Sequence, residues 1–178
     1  MSGEWIELFN GKDLTGWRLR YPDREHRWVV HDGILENTGK GVDLITEQEF
    51  GDFELHLEYN MFPNSNSGIY LRGRYEIQML DSYGKTYDRP AENGAIYNVK
   101  SPDVDVTKPA GEWQTLDITM RGLTLTVYLN GVKIHDAVEL TGPTGSNWLF
   151  NDNGPRGPHF LQGDHGPVKF RNLRLREL

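Results

Sequence analysis

Tyr70, Arg72, Glu76 and Gln78 fall within one stretch, Asn64-Ser65-Asn66-Ser67-Gly68-Ile69-Tyr70-Leu71-Arg72-Gly73-Arg74-Tyr75-Glu76-Ile77-Gln78-Met79-Leu80-Asp81. If two strands meet at Gly73-Arg74, alternate side chains project to opposite faces. Ile69, Leu71, Ile77 and Met79 then point one way and the four polar groups the other. Strands about 4.8 Å apart make those four a contiguous patch. His56 and Glu58, from the alternating run Phe53–Tyr59, and Tyr97, from Gly94–Val99, are expected to widen it. Solvated sheet faces are commonly built from Lys, Glu and Thr, whereas this one mixes phenols, an amide, a guanidinium and carboxylates. Rings for C–H faces, with planar donors and acceptors for hydroxyls, suit a carbohydrate.

His165 is the first candidate for moving a proton, because imidazole titrates near neutrality. It stands in Gln162-Gly163-Asp164-His165-Gly166, at the end of a long Gly/Pro-rich segment (141–167) from which it can overhang the polar face. A loop histidine bonded to a carbonyl is the plainer reading of the same residue. Arg72 has a permanently charged fork of donors suited to gripping an oxygen that gains charge; an ion pair with Glu76 or Glu58 would explain it equally. Glu58 and Glu76 are candidates for a second proton carrier or for binding hydroxyls. Gln162 and, in the Gly-rich segment, Trp148 are further binding candidates. Asp81 has the opposite parity from Glu76 and joins the patch only across a bulge.

The elements that must position these groups are strands. Leu116, Ile118 and Met120 alternate with polar residues, as do Leu123, Leu125, Val127 and Leu129 beyond Gly122. Asn130-Gly131 predicts a type I′ hairpin into Val132-Lys133-Ile134. Val168–Leu175 repeats the two-residue period and is expected to close a sheet. No window of ten residues sustains a helical period. The reading is all-β: one domain over 1–178, a two-sheet antiparallel sandwich or jelly roll.

Several segments together resemble the 3-keto-disaccharide hydrolase domain family: Phe9-Asn10-Gly11-Lys12-Asp13-Leu14-Thr15-Gly16-Trp17, Asp32-Gly33-Ile34-Leu35, Phe53-Glu54-Leu55, Asn66–Arg72, Tyr75-Glu76-Ile77-Gln78, Val127–Gly131, and His165-Gly166 through Asn172. The resemblance implies a concanavalin A-like jelly roll and, for some members, cleavage of glycosides already oxidised at C3. That chemistry asks for a base at C2, a donor for the leaving oxygen, and positive charge or hydrogen bonds on an enolate. His165, Glu58, Arg72 and Glu76 are the expected catalytic set; Tyr70, Gln78, Tyr97, His56, Asp81, Gln162 and Trp148 are expected to bind. The jelly-roll glucanases place two or three acids on one strand as Glu-Ile-Asp-x-Glu. Here Glu76-Ile77-Gln78-Met79-Leu80 supplies only the first, which argues against an ordinary retaining pair.

Two other readings stay open: a carbohydrate-binding module without chemistry, and a structural sandwich of the laminin-G kind. No cofactor is called for with certainty. A divalent metal, calcium included, is left open, either at Asn151-Asp152-Asn153-Gly154 or assembled from His56, Glu58 and His165. The absence of cysteine excludes thiolate zinc and a cysteine nucleophile. A net charge of −7 argues against nucleic acid as a partner, and no apolar run reaches the roughly 20 residues of a membrane helix. The opening residues do not read as an export signal, a pattern a mature fragment would share, so neither compartment nor oligomeric state is expected to follow from the sequence.

Overall fold

The computed structural model describes residues 3–178. Its thirteen strands are β1 (Ile6–Glu7), β2 (Trp17–Leu19), β3 (Trp28–His31), β4 (Ile34–Asn37), β5 (Leu44–Thr46), β6 (Phe53–Met61), β7 (Asn66–Leu71), β8 (Tyr75–Leu80), β9 (Trp113–Arg121), β10 (Thr124–Leu129), β11 (Val132–Glu139), β12 (Phe160–Leu161) and β13 (Val168–Glu177). No helix occurs among the described residues. The strands form two antiparallel sheets. The larger runs β11-β10-β9-β6-β13-β4-β3, with β1 also on β13, and the smaller runs β2-β5-β12-β7-β8.

Alternation dictates how the sheets face each other. Along β6, Phe53, Leu55, Leu57, Tyr59 and Met61 are buried, while Glu54, His56, Glu58 and Asn60 turn outward. Leu116, Ile118 and Met120 of β9 sit opposite them in register and join the same core, as do Ile69, Leu71, Ile77 and Met79 from the smaller sheet. Burying one such side chain contributes about 1.5–3 kcal/mol, so this shared layer holds the sandwich together. Asn130 and Gly131, at φ 52° and 79°, make the turn between β10 and β11. In β13 the strict period breaks. A register shift between Arg171 and Arg174, with Asn172 at φ 54°, inserts one residue, so Phe170 and Leu173 both reach the core.

The hairpin of β7 and β8 turns one residue earlier than the sequence pattern predicts. Arg72 and Gly73 take φ values of 51° and 67°, and the Arg74 N–H closes the turn on the Leu71 carbonyl at 3.0 Å. Arg72 thereby leaves the strand.

The smaller sheet is covered on its outer side as well. Ile45, Tyr70 and Phe160 form a second apolar cluster there, capped by Leu149 from the 141–150 segment. The Tyr70 and Phe160 rings stack at 4.2 Å. Arg20 anchors the segment: it pairs with Asp43 at 3.0 Å and donates to the Asn147 carbonyl at 2.7 Å. Strand β8 lies at the sheet's end, and its free side is taken up by two loops. Gly94 N–H donates to the Gln78 carbonyl, Gln78 N–H to that of Ala95, and Tyr97 N–H to that of Glu76. Glu76 N–H donates to the Thr144 hydroxyl at 2.8 Å, and Leu149 N–H to the Gly73 carbonyl at 2.7 Å.

Candidate active site

On that outer face, under the 141–150 segment, lies a hollow of about 480 Å³ counting its open mouth. Tyr70 from β7 and Glu76 and Gln78 from β8 form its floor, directly opposite their partners in register. Asn66 enters by the same parity as Tyr70. Tyr97 is brought in by its backbone bond beside Glu76, Ser146 and Asn147 by the roof, and Gln162, Asp164 and His165 by the turn before β13.

That turn is held from below. The Asn37 amide donates to the carbonyls of Gly163 and Gly166, at 3.1 and 2.9 Å, and the Gly163 N–H donates to Asp43 at 2.9 Å. Glycine at 163 is obligatory, because a Cβ there would stand 2.1 Å from the Val42 carbonyl oxygen. Gly68 plays a similar part under the carboxyl group, since a Cβ would come within 2.5 Å of Glu76 Oε1.

Glu76 is 3% exposed. Burial pushes its pKa up to about 7, against the opposing pull of a hydrogen bond with Tyr70 and the His165 charge. It can therefore accept or release a proton near neutrality. Burial, and then the neighbouring Glu76 charge, raise the Tyr70 phenol, which stays a donor at any working pH. His165 Nδ1 bonds the Asp164 carboxylate. That bond raises the imidazole above its ordinary value and lowers Asp164. Nδ1 donates its proton to that carboxylate, which leaves Nε2 as the nitrogen that exchanges a proton with a ligand. Asn66 Oδ1 is buried without a partner, an acceptor left for a ligand hydroxyl. Among the described residues, no Lys or Arg lines this hollow, so His165 is the lining side chain that can carry a positive charge.

The 3-keto-alpha-glucoside-1,2-lyase-like domain matches residues 4–176. The chain belongs to that family. A curated 3-keto-disaccharide hydrolase of Bacteroides thetaiotaomicron is 26% identical over 151 residues, covering 64% of this chain and 51% of the relative. The chain thus spans about half the length of that protein. A solved structure from Parabacteroides distasonis, described as a candidate glycosyl hydrolase, is 33% identical with a TM-score of 0.82 and covers 98% of this chain and 84% of the other. The carbohydrate-binding module CBM66 of Bacillus subtilis shares the fold at 13% identity and a TM-score of 0.57, covering 90% and 95%. The architecture is the jelly roll of glycosyl hydrolase-like neighbours.

In this 3-keto-alpha-glucoside-1,2-lyase-like domain, Tyr70, Glu76, Gln78, Tyr97, Gln162 and His165 share one hollow. The other expected residues lie elsewhere. Arg72 is 1% exposed and structural in its contacts. It donates to the carbonyls of Gly51 (2.9 Å) and Gly122 (2.7 Å) and pairs with Asp52 at 3.0 Å, and its N–H bonds the buried His159. The positive φ at the turn removes it from the parity of Tyr70. Glu58 and His56 occupy the outer face of the larger sheet. There Glu58 receives Arg171 and Asn172, and His56 Nδ1 meets Asp117 at 2.7 Å. Burial opposes ionisation of Glu58, but those hydrogen bonds outweigh it and keep the carboxyl below its usual range.

His56, Glu58 and His165 are therefore not a metal set. No group of three or more His, Asp or Glu side chains at ligand spacing occurs among the described residues. In the other candidate loop, Asp152 is engaged by Arg74 at 2.6 Å and Asn153 by the Tyr75 hydroxyl at 2.8 Å. Asp81 caps the Asn64 N–H at 2.8 Å beyond the end of β8. Trp148 offers its carbonyl to Arg20 at 3.4 Å, while its neighbours Ser146 and Asn147 line the hollow. Asn66 was readable from strand parity and Asp164 from its place beside His165. Nothing local marked Ser146 or Asn147.

Proposed function

We propose that this domain cleaves 3-keto-glycosides by elimination followed by hydration, with Glu76 as the base and His165 as the acid. The observation that carries the reading is the meeting of a buried carboxyl of near-neutral pKa with an aspartate-paired histidine in one polar, ring-lined hollow. The family's lyase description and the relative's hydrolase name fit the two halves of such a reaction.

The ketone at C3 acidifies the proton on C2. Glu76 removes it, and the negative charge spreads onto the C3 oxygen, where the Tyr70 hydroxyl and the amide N–H groups of Asn66 and Gln162 can donate. The electron pair then forms the C1–C2 double bond, the C1–O bond breaks toward oxygen, and the His165 imidazolium protonates the departing alcohol. Water adds its hydroxyl to C1, His165 taking back a proton, and Glu76 returns a proton to C2. The sum is hydrolysis, with both residues restored. Asp164 is committed to His165, which leaves Glu76 as the carboxyl of near-neutral pKa facing the substrate.

Turnover of a 3-keto-glucoside in D2O, followed by NMR, tests this. Aglycone release with deuterium at C2 of the 3-keto-glucose is expected, faster than exchange in product incubated without enzyme. Glu76→Gln and His165→Ala should each abolish release. Release with neither C2 deuterium nor a kinetic isotope effect from a C2-deuterated substrate would mean direct displacement, and no release by the wild type would overturn the catalytic reading.

A further inference from the structure

Arg20 is not among the side chains lining the hollow, yet its contacts lead to the roof, the floor and the histidine of that hollow. Its Nη1 donates to Asp43 Oδ2 at 3.0 Å and to the Asn147 carbonyl in the roof at 2.7 Å. The other Asp43 oxygen accepts the Gly163 N–H at 2.9 Å, at the start of the turn that carries Asp164 and His165. The guanidinium carbon lies 5.4 Å from the centre of the Phe160 ring, which stacks on Tyr70. The site is close-fitted on this side. A Cβ on Gly145 of the roof would stand 3.4 Å from both Glu76 Oε2 and the Tyr70 hydroxyl.

Resting on the function proposed above, we infer that Arg20 is a positioning residue for the general acid: its pair with Asp43 fixes the turn that carries His165, and so the separation of the imidazole from Glu76. The reason is electrostatic. Asp43 is 3% exposed. Burial, and then the like charge of Asp164, raise its carboxyl against the pull of the Gly163 N–H and Arg20. A buried carboxylate deprived of its cation must take up a proton or move toward water. Either change weakens its hold on the Gly163 N–H, because a charged acceptor is the stronger one. The Asn37 amide would still hold the Gly163 and Gly166 carbonyls. The turn therefore survives the loss of Arg20, while the aim of His165 does not.

The test turns on the leaving group. Methyl 3-keto-glucoside releases an alcohol whose oxygen needs the His165 proton. In 4-nitrophenyl 3-keto-glucoside the same C1–O bond breaks, and the phenolate departs without one. Arg20→Met should lower kcat/KM for the methyl glycoside roughly ten- to hundredfold more than for the nitrophenyl glycoside, a part of the roughly 10²–10⁴-fold that a positioned acid supplies. An arginine that merely supported the fold would lower both alike, through the fraction of protein folded. The double variant Arg20→Met, Asp43→Leu leaves no buried charge unpaired and no carboxylate for Gly163. It should show the same bias, and it carries the test if Arg20→Met alone does not fold. An unaltered ratio in either folded variant would overturn the inference. If the wild type cleaves neither glycoside, the reaction itself has been misassigned; if it cleaves both and the ratio holds, only the role of Arg20 has.

Discussion

Replacing Glu76 by glutamine should stabilise the fold, and by an amount that depends on pH. The native carboxyl titrates at about 7 against an ordinary value of 4.5. Below pH 4.5 it is protonated in both folded and unfolded chains, and the acid and the amide are nearly equivalent. Between those values the folded chain holds a proton that the unfolded chain has released, so stability falls as pH rises. The difference of about 2.5 units, at 1.36 kcal/mol per unit, amounts to about 3 kcal/mol above pH 7. Glu76→Gln should therefore match the wild type near pH 4 and exceed it by about 3 kcal/mol at pH 8. Urea unfolding of both proteins at unit steps of pH measures this, since groups elsewhere cancel in the difference. Carboxyl 13C shifts should report the midpoint directly. A difference that stays flat, or that favours the wild type at high pH, would show that His165 and Tyr70 outweigh burial, and the argument for Glu76 as a near-neutral base would fall.

Asp164→Asn removes the partner that raises His165. The alkaline limb of the kcat/KM profile should then move to lower pH, because the imidazolium is lost earlier. Arg72→Met should lower stability by about 2–4 kcal/mol through three lost hydrogen bonds, while the C2-deuterium signature survives in the protein that folds; loss of chemistry without loss of stability would restore Arg72 to the site. Gly68→Ala should depress kcat more than stability, because its methyl group would displace Glu76; paired kinetic and urea measurements decide this. Glu58→Gln should leave the pH–rate profile in place, and a shifted acid limb would contradict its position on the far sheet.

Strand identity was legible because the two-residue period is local: β6, β9 and β10 can be read directly from Phe53–Tyr59, Leu116–Met120 and Leu123–Leu129. Parity also placed Tyr70, Glu76 and Gln78 on one face. What parity cannot supply is which sheet a strand joins. A sandwich has two outer faces, and Glu58 and Glu76 have the same alternation but opposite addresses. The choice is made by long-range pairing, with β6 between β9 and β13 and β8 beside β7. Arg72 failed for another reason. A turn that starts one residue early converts a strand position into a left-handed one, and Arg-Gly-Arg gives weaker notice of this than Asn-Gly does. The roof residues were hidden because loop 141–150 is placed by Arg20, more than a hundred positions away.

The loops bonded along β8 have a consequence for solubility. An uncovered terminal strand offers its amides and carbonyls to any passing chain. Here the same bonds that deliver Tyr97 and Thr144 to Glu76 occupy those groups. Shortening either loop to admit bulkier ligands would expose a self-pairing ribbon, so such variants should be lost to aggregation before any gain in substrate range could be seen.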